Sequence, residues 1–169
     1  MDVRYPIGTF ECPERISEEQ KRAWIEEIRT FPEQLKEAVT QLSEAELEKQ
    51  YREGSWTIRQ IVHHVADSHM NAYIRFKLAV TEEEPTIKPY DQDDWAKLPD
   101  SRMPISVSLQ LLEGLHARLA CLLESLSEEQ GRRIFHHPES GVVSVEKNIG
   151  MYAWHGKHHL AQIRQALQL

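Results

Sequence analysis

The C-terminal segment of the chain, Asn148 to Gln168, has the apolar spacing of an amphipathic helix and carries two histidines four residues apart. At about 100° of rotation per residue, His155 and His159 fall on one face. That face otherwise carries Tyr152, Ile163 and Ala166. His158 lies off this stripe, and we expect it nearer the solvent edge. Imidazoles at positions i and i+4 can converge on one ion, so this helix predicts half of a metal site.

Length and composition indicate a soluble protein with one domain. A chain of 169 residues can bury a substantial core, so we expect a single domain over residues 1–169. The formal net charge of −7 argues against a nucleic-acid partner or an anionic membrane surface. Cys12 and Cys121 are too few for a disulfide framework, and no signal peptide or membrane-spanning run is visible. We therefore expect a cytoplasmic location.

Two predicted elements precede the first histidine cluster. Residues 1–16 contain Pro6, Gly8 and Pro13, which predict an extended arm that lies on the body or on a partner subunit. A capping-box pattern at residues 17–20 then begins a first long helix, and its apolar spacing continues to Leu42. Pro32 predicts a kink in this helix or a join between two helices.

The chain shows an internal two-fold pattern: a long helix, a Leu-Ser-Glu turn, an irregular link and a long helix that carries histidines. Short helical turns are predicted after Leu42 and again after Leu126, each with a Leu-Ser-Glu sequence. A second long helix is predicted from Thr57 to about Thr81, and a third from Ile105 to Ser125. The link 82–104 contains four prolines and resists regular structure, and its segment 91–95 is a candidate cover for a pocket. Residues 132–145 predict a short hairpin before the last helix.

Four long amphipathic segments with little strand signal predict an all-α fold, a four-helix bundle with long loops. Bundle cores commonly hold metal sites built from facing helices. The second long helix carries His63, His64 and His69, and each is a candidate for a third ligand beside His155 and His159. By helical position His69 lies near the middle of the apolar stripe, whereas His63 and His64 lie on opposite flanks of it. Helical position alone does not decide which of the three is the third ligand.

Several sequence segments resemble the DinB-like superfamily, and within it the branch of metal-dependent hydrolases and bacillithiol S-transferases. The resemblance rests on four stretches that together span nearly the whole chain: Arg4–Gly8, Trp56–His69, Lys88–Asp91 and Trp154–Ile163. It implies a four-helix bundle in which one histidine of the second helix and two of the last helix bind a divalent metal. At the matching positions these are His64, His155 and His159, and the choice of His64 over His63 rests on the resemblance.

Three neutral imidazoles suit one zinc or nickel ion per subunit and leave a coordination position open. Such an ion could lower the pKa of a bound water, which leads to hydrolysis, or of a thiol, which leads to thiol transfer. The resemblance favours the transfer of bacillithiol to small electrophiles. No His-Glu-x-x-His is present, so peptidase activity is not expected. Asp67, one turn beyond His64, is a candidate to orient a ligand or accept a proton.

Other interpretations of the same residues remain open. A metal-activated water could hydrolyse a small ester or amide, or the bundle could be a non-enzymatic module that a metal stabilises. The expected partners are a small thiol and an electrophile, and the apolar arm also suggests a homodimer. His116, His136 and His137 are predicted to be surface or packing residues, and the paired histidines of the last helix could themselves be hydrogen-bonded core groups.

Overall fold

Four long helices account for most of the protein, for which a computed structural model describes residues 3–168. Met1 and Asp2 of the predicted arm lie outside the described residues. In chain order the elements are α1 (Glu18–Val39), α2 (Glu44–Leu47), α3 (Ile58–Thr81), α4 (Gln92–Trp95), a 3-10 turn (Pro99–Arg102), α5 (Ile105–Glu124), α6 (Glu128–Arg132), β1 (Ile134–His137), β2 (Gly141–Ser144) and α7 (Val145–Gln168). The predicted four-helix bundle is confirmed.

Side-chain caps begin four helices, α1, α2, α3 and α6, where the sequence predicts them. The Ser17 side chain accepts a hydrogen bond from the amide of Gln20 at the start of α1. At the start of α3, Thr57 and Gln60 form a reciprocal capping box, and the same motif begins α2 and α6. Each cap satisfies amide groups that have no partner inside the helix, so the short polar residue fixes the boundary.

The structure changes three details of the predicted elements. The last helix begins at Val145 rather than at Asn148, because the Ser144 hydroxyl accepts a hydrogen bond from the amide of Lys147 and caps it earlier. The link 82–104 is not wholly irregular, since it contains α4 and the 3-10 turn. Helix α1 continues through Pro32, which excludes a join between two helices at that residue.

Each long helix packs against two others, in the cyclic order α1, α5, α3, α7. Their buried apolar residues form two clusters. The first contains Ile28, Phe76, Leu119 and Ile149, and the second contains Leu35, Ile61, Leu112 and Ile163. Helices α1 and α7 run from the first cluster to the second, whereas α3 and α5 run in the opposite direction. Between the two clusters, at mid-height of the bundle, α3, α5 and α7 carry histidines.

The described part of the N-terminal arm packs against the body of its own chain. This is one of the two predicted positions for the arm, and the other is a partner subunit. The Trp154 ring nitrogen donates to the carbonyl of Gly8 at 3.2 Å, and the Gln162 amide donates to the carbonyl of Arg4 at 3.0 Å. The arm therefore runs across α7, over the helix that bears the paired histidines. In the described residues no helix is long and apolar enough to span a membrane.

The predicted hairpin is confirmed and docks beside the end of α3. Strands β1 and β2 are antiparallel and pair Ile134 with Ser144 and His137 with Gly141. The amide of His136 donates to the carbonyl of Pro85 at 2.9 Å, and the amide of Ile87 donates to the carbonyl of His136 at 3.0 Å. These bonds hold the hairpin against the segment that follows α3.

Helices α1 and α7 approach closely enough that the glycine beside His155 is required. A Cβ atom on Gly156 would lie 2.8 Å from a carbon of the Phe31 ring.

We predict that Gly156→Ala lowers the free energy of unfolding by about 1–3 kcal/mol, because the buried ring must move. Gly114→Ala is the matched control, since nothing lies within 4 Å of its Cβ position. It should raise stability by about 0.5–1 kcal/mol through helix propensity. Urea unfolding of both variants measures the difference, and equal effects would contradict the close approach.

Candidate metal centre

Three histidines from two helices meet in the middle of the bundle. One nitrogen each of His64, His155 and His159 lies within 4.8 Å of the other two. The ring centroids of His155 and His159 are 4.5 Å apart, and that of His64 is 4.8 Å from His159 and 5.5 Å from His155. The structure thus brings together the three residues that the family resemblance implies as ligands.

A chain of hydrogen bonds determines which nitrogen of His155 carries its proton. Pro32 has no amide hydrogen, so the carbonyl of Ile28, four residues earlier, has no helical donor. The Nδ1 of His116 lies 2.6 Å from this carbonyl oxygen and must donate to it, because a carbonyl can only accept. In a neutral His116 the Nε2 is then an acceptor. Pro32 therefore fixes the tautomer of a histidine on another helix.

The same logic passes through His69 to His155. The Nδ1 of His69 lies 2.7 Å from the Nε2 of His116 and therefore donates to it. The Nε2 of His69, 3.0 Å from the Nδ1 of His155, is then an acceptor. His155 must carry its hydrogen on Nδ1, which leaves the Nε2 lone pair directed at the cluster. Hydrogen bonds of this kind orient metal-binding histidines in proteins.

Gln162 determines the tautomer of His159 in the same way. Its amide nitrogen donates to the carbonyl of Arg4 at 3.0 Å, so its oxygen faces His159. That oxygen lies 2.8 Å from the Nδ1 of His159, which must therefore be the protonated nitrogen. The Nε2 of His159 is left with a lone pair, as in His155.

The two lone pairs face each other, and this arrangement fits a shared cation. The Nε2 atoms of His155 and His159 are 3.2 Å apart, yet neither carries a hydrogen in the tautomers described above. Two nitrogens that bind a tetrahedral ion at their usual bond length of about 2.0–2.1 Å are separated by about 3.3 Å. The donor set therefore fits a divalent ion, to which His64 could offer a third nitrogen.

Burial keeps these imidazoles neutral. It is the largest cause that holds the pKa values of His64, His69, His155 and His159 well below the ordinary histidine value. Burial also lowers the pKa of His116 to about 4, although its bond to the Ile28 carbonyl opposes the shift. Neutral imidazoles are the form that binds metals, so the cluster needs no deprotonation near neutral pH.

Packing against neighbouring segments determines the surroundings of two further histidines, His63 and His158. His63 points away from the cluster, with its Nδ1 2.7 Å from the hydroxyl of Ser108 and its Nε2 2.9 Å from the carbonyl of Met103. The helical wheel predicts His158 near the solvent edge, but this residue is only 6% exposed. The Trp154 ring stacks on it at 4.6 Å, and Tyr5 of the arm covers it at 5.6 Å.

Sequence patterns did not reveal the hydrogen-bonding role of His69 and His116. His116 was predicted to be a surface or packing residue, and the structure shows it 1% exposed in the core. One signal could have found it, because His116 lies four residues after Leu112 and three before Leu119, on the buried stripe of α5. A histidine at the centre of such a stripe needs polar partners on the facing helices.

Asp67 lies apart from the three histidines. Its carboxylate makes no hydrogen bond or ion pair with the described residues and lines neither of the cavities at the cluster. Burial, and to a smaller degree the charge of Asp100, raise the pKa of Asp67 to about 6. Its predicted part in catalysis stays a prediction.

Two cavities of about 450 Å³ each meet at the cluster. The first is lined by His155 and His159, Trp56, Arg52 and the arm residues Arg4 and Tyr5. The second is lined by His155, Tyr152, Tyr90 and Arg75. Gln92 and Asp93 border both and form a shared rim, in keeping with the predicted place of the segment 91–95 beside a pocket. A larger cavity of about 570 Å³ surrounds Arg59 and touches none of the three histidines.

The DinB superfamily model matches residues 27–163, which include all four long helices in whole or in part. The chain belongs to the DinB superfamily. A DinB relative from Halalkalibacterium halodurans, named "Putative metal-dependent hydrolase", is 50% identical over 167 residues, which are 99% of this chain and 98% of the relative. A protein of the same name from Oceanobacillus iheyensis is 54% identical over 163 residues, 96% and 95% of the two chains.

Two solved structures share the fold. YfiT from Bacillus subtilis, described as "a probable metal-dependent hydrolase with an unusual four-helix bundle topology", superposes with a TM-score of 0.96 and 45% identity, over 99% of this chain and 97% of YfiT. A mycothiol-dependent maleylpyruvate isomerase superposes with a TM-score of 0.69 and 18% identity, over 85% of this chain and 60% of the isomerase. The second likeness is one of fold.

The hydrogen-bond chain predicts that His116 influences metal binding without touching the metal. His116→Leu removes the acceptor for His69, so the tautomers of His69 and His155 are no longer fixed. We expect the affinity for zinc to fall by about 10- to 100-fold while helicity is retained. Calorimetric titration measures the affinity, and ¹⁵N NMR of the metal-free protein shows whether the His155 hydrogen is on Nδ1.

His116→Gln is the matched control for this prediction. A side-chain amide has one donor and one acceptor end, as a neutral imidazole has, so it can bond both the Ile28 carbonyl and His69. This variant should keep most of the affinity and the Nδ1-protonated form of His155. If the leucine variant binds zinc like the parent and keeps that tautomer, the chain of bonds does not orient His155.

Asp67 predicts a pH-dependent effect on stability. Its folded-state pKa of about 6 lies above the ordinary value of 3.8, so the folded state disfavours the ionised form. The cost is present above about pH 6 and disappears as the pH falls below the unfolded-state value. Asp67→Asn should therefore be more stable than the parent at about pH 8 and equal to it near pH 4. Urea unfolding at both pH values tests this, and a less stable variant at the higher pH would show that the ionised carboxylate stabilises the fold.

Proposed function

We propose that this DinB protein is a divalent-metal-dependent enzyme that transfers a low-molecular-weight thiol, bacillithiol by the family resemblance, to small electrophiles. The observation that carries the proposal is the meeting of two cavities at His155, beside the three-histidine cluster. Thiol transfer has two organic substrates, and both cavities are of small-molecule size. In hydrolysis the second reactant is water, which needs no cavity of its own.

The histidine cluster suits the activation of an anionic nucleophile. A divalent ion held by His64, His155 and His159 would lower the pKa of a thiol or a water at its open position. Because the three imidazoles are neutral, they leave the charge of such an ion uncompensated, which favours a thiolate over a neutral partner. The fixed tautomers of His155 and His159 keep their lone pairs directed at one point.

The first cavity has walls that suit an anionic thiol. Arg52 and Arg4 supply positive charge, and the guanidinium of Arg52 lies 5.7 Å from the centre of the Tyr51 ring. Trp56 packs its ring 4.4 Å from His64 and forms an apolar wall next to the cluster. Asp93 at the rim is the one carboxylate among the described residues that line this cavity. These walls support thiol binding on the His159 side of the cluster.

Hydrolysis of a small ester or amide is the second candidate. The names of the relatives from Halalkalibacterium and Oceanobacillus favour it, since both are called metal-dependent hydrolases. In that case water would be the nucleophile, and the two cavities would take the two parts of one substrate on either side of the scissile bond. The two candidates share the metal and differ in the nucleophile.

Substitution of His159 tests the metal dependence, and product analysis tests the nucleophile. The parent protein with zinc is incubated with bacillithiol and 4-(chloromethyl)benzoate or 4-(chloromethyl)benzamide. We expect a thioether adduct, with formation of a carbon–sulfur bond, departure of chloride with the bonding electrons and release of the thiol proton to buffer. His159→Ala should lower the rate by at least about 100-fold and abolish stoichiometric zinc binding.

Two controls separate the alternatives. His136→Ala also removes a histidine, but one whose ring lies 3.6 Å from Glu84 and away from the cluster, so it should keep activity and metal. A thiol-independent release of product from 4-nitrophenyl acetate, without any adduct, would favour hydrolysis. Unfolding on removal of zinc, with neither activity present, would favour a metal-stabilised module.

A further inference from the structure

Helix α3 buries two arginines, and their surroundings differ sharply. Arg59 is 8% exposed, and it forms ion pairs with Glu44 and Glu48, the latter at 2.9 Å. Arg75 is 9% exposed and forms no ion pair with any described residue. Its one hydrogen bond is donated to the carbonyl of Lys88 at 3.3 Å. A buried guanidinium without an anionic partner is costly, so Arg75 requires an explanation that Arg59 does not.

Arg75 lines the second cavity, the one that ends at the histidine cluster. Tyr90 and Tyr152 line the same space, and His155 borders it beside them. Tyr152 packs edge-on against the Phe76 ring at 6.4 Å and contacts the His155 ring at 5.6 Å. The cavity thus has a cation, aromatic walls and a border with the cluster, features that small-molecule sites combine.

The other charged groups of this cavity do not neutralise Arg75. Asp91, Asp93 and Glu139 line it too, but all three are exposed and none pairs with the guanidinium. Burial, and then the charge of Arg75, lower the pKa of His137, so this histidine is neutral near pH 7. Burial raises the pKa of Tyr90 to about 12, which keeps its hydroxyl as a hydrogen-bond donor. Among the residues that line this cavity, the buried charge is that of Arg75.

We infer that Arg75 binds the carboxylate of an anionic electrophile, which occupies the second cavity with its reacting carbon toward His155. A guanidinium matches a carboxylate with two parallel hydrogen bonds, and burial strengthens such a pair. The role of this ligand as electrophile rests on the proposed function, whereas the anion site itself does not. The substrate class is a small aromatic or unsaturated molecule with one carboxylate.

Binding of unreactive ligands tests the anion site without any reaction. Calorimetric titration of the zinc-loaded protein compares 4-methylbenzoate with its neutral analogue 4-methylbenzamide. We expect the benzoate to bind at least about 10-fold more tightly, which corresponds to one charge-assisted bidentate pair. Arg75→Met should abolish this preference, and Arg75→Lys should keep a part of it, because a lysine retains the charge but lacks the planar fork.

Lys77→Met is the matched control for the loss of charge. Lys77 is exposed on the same helix, with its ammonium 4.9 Å from the centre of the Tyr73 ring, and it does not line the cavity. This variant should keep the preference for the benzoate. Equal binding of the two ligands by the parent, or an unchanged preference in Arg75→Met with helicity retained, would overturn the assignment.

The kinetic arm distinguishes failure of the anion site from failure of the thiol transfer. With bacillithiol as nucleophile, the ratio of kcat/KM for 4-(chloromethyl)benzoate to that for 4-(chloromethyl)benzamide should be at least about 10 in the parent and near one in Arg75→Met. If the benzoate binds selectively but neither chloride gives an adduct, the anion site stands and the thiol-transfer proposal fails. If adducts form with no preference for the carboxylate, the thiol transfer stands and the role of Arg75 fails.

Discussion

The carbonyl of Ile28 is the constraint on which the candidate metal centre depends. Pro32 leaves this oxygen without a helical donor, and His116 takes the vacant place with a bond of 2.6 Å. From there each neutral imidazole fixes the tautomer of the next, through His69 to His155. A proline that would ordinarily only weaken a helix thus determines which nitrogen of a distant histidine has a free lone pair. The proton positions in the cluster are a property of the packed bundle and not of α7 alone.

The bundle can hold a layer of histidines in its interior because apolar clusters lie on both sides of that layer. The histidines are buried or, for His155, half-buried, and they are neutral. Those on the path to the Ile28 carbonyl have hydrogen-bond partners, so their burial costs far less than that of charged groups. Phe31 contacts both this layer of histidines and the interface between α1 and α7. Its ring lies 5.5 Å from the rings of both His69 and His116 and also fills the space left by Gly156. The contacts that stabilise the bundle therefore also hold the histidines in position.

Helix boundaries and the bundle could be predicted because they depend on local sequence. Caps such as Thr57 with Gln60, and apolar spacing, act within one element. The choice between His63 and His64 could not be made in this way, because both are buried on α3 and only the facing helices distinguish them. The burial of His158 was missed for the same reason, since the N-terminal arm that covers it is distant in sequence. Of the cavity walls, only the segment 91–95 was predicted beside a pocket, because the other walls come from segments that no periodic pattern connects.

Helices and loops contribute different parts of the candidate site. The helices fix the donor atoms, whereas the arm, the segment 91–95 and the hairpin determine what can approach them. Of the described histidines, His155 alone lines both cavities. Its ring is held from the α1 side by the hydrogen-bond chain that begins at Ile28. Loop changes could therefore alter the walls of the two cavities without disturbing the histidine that lines both of them.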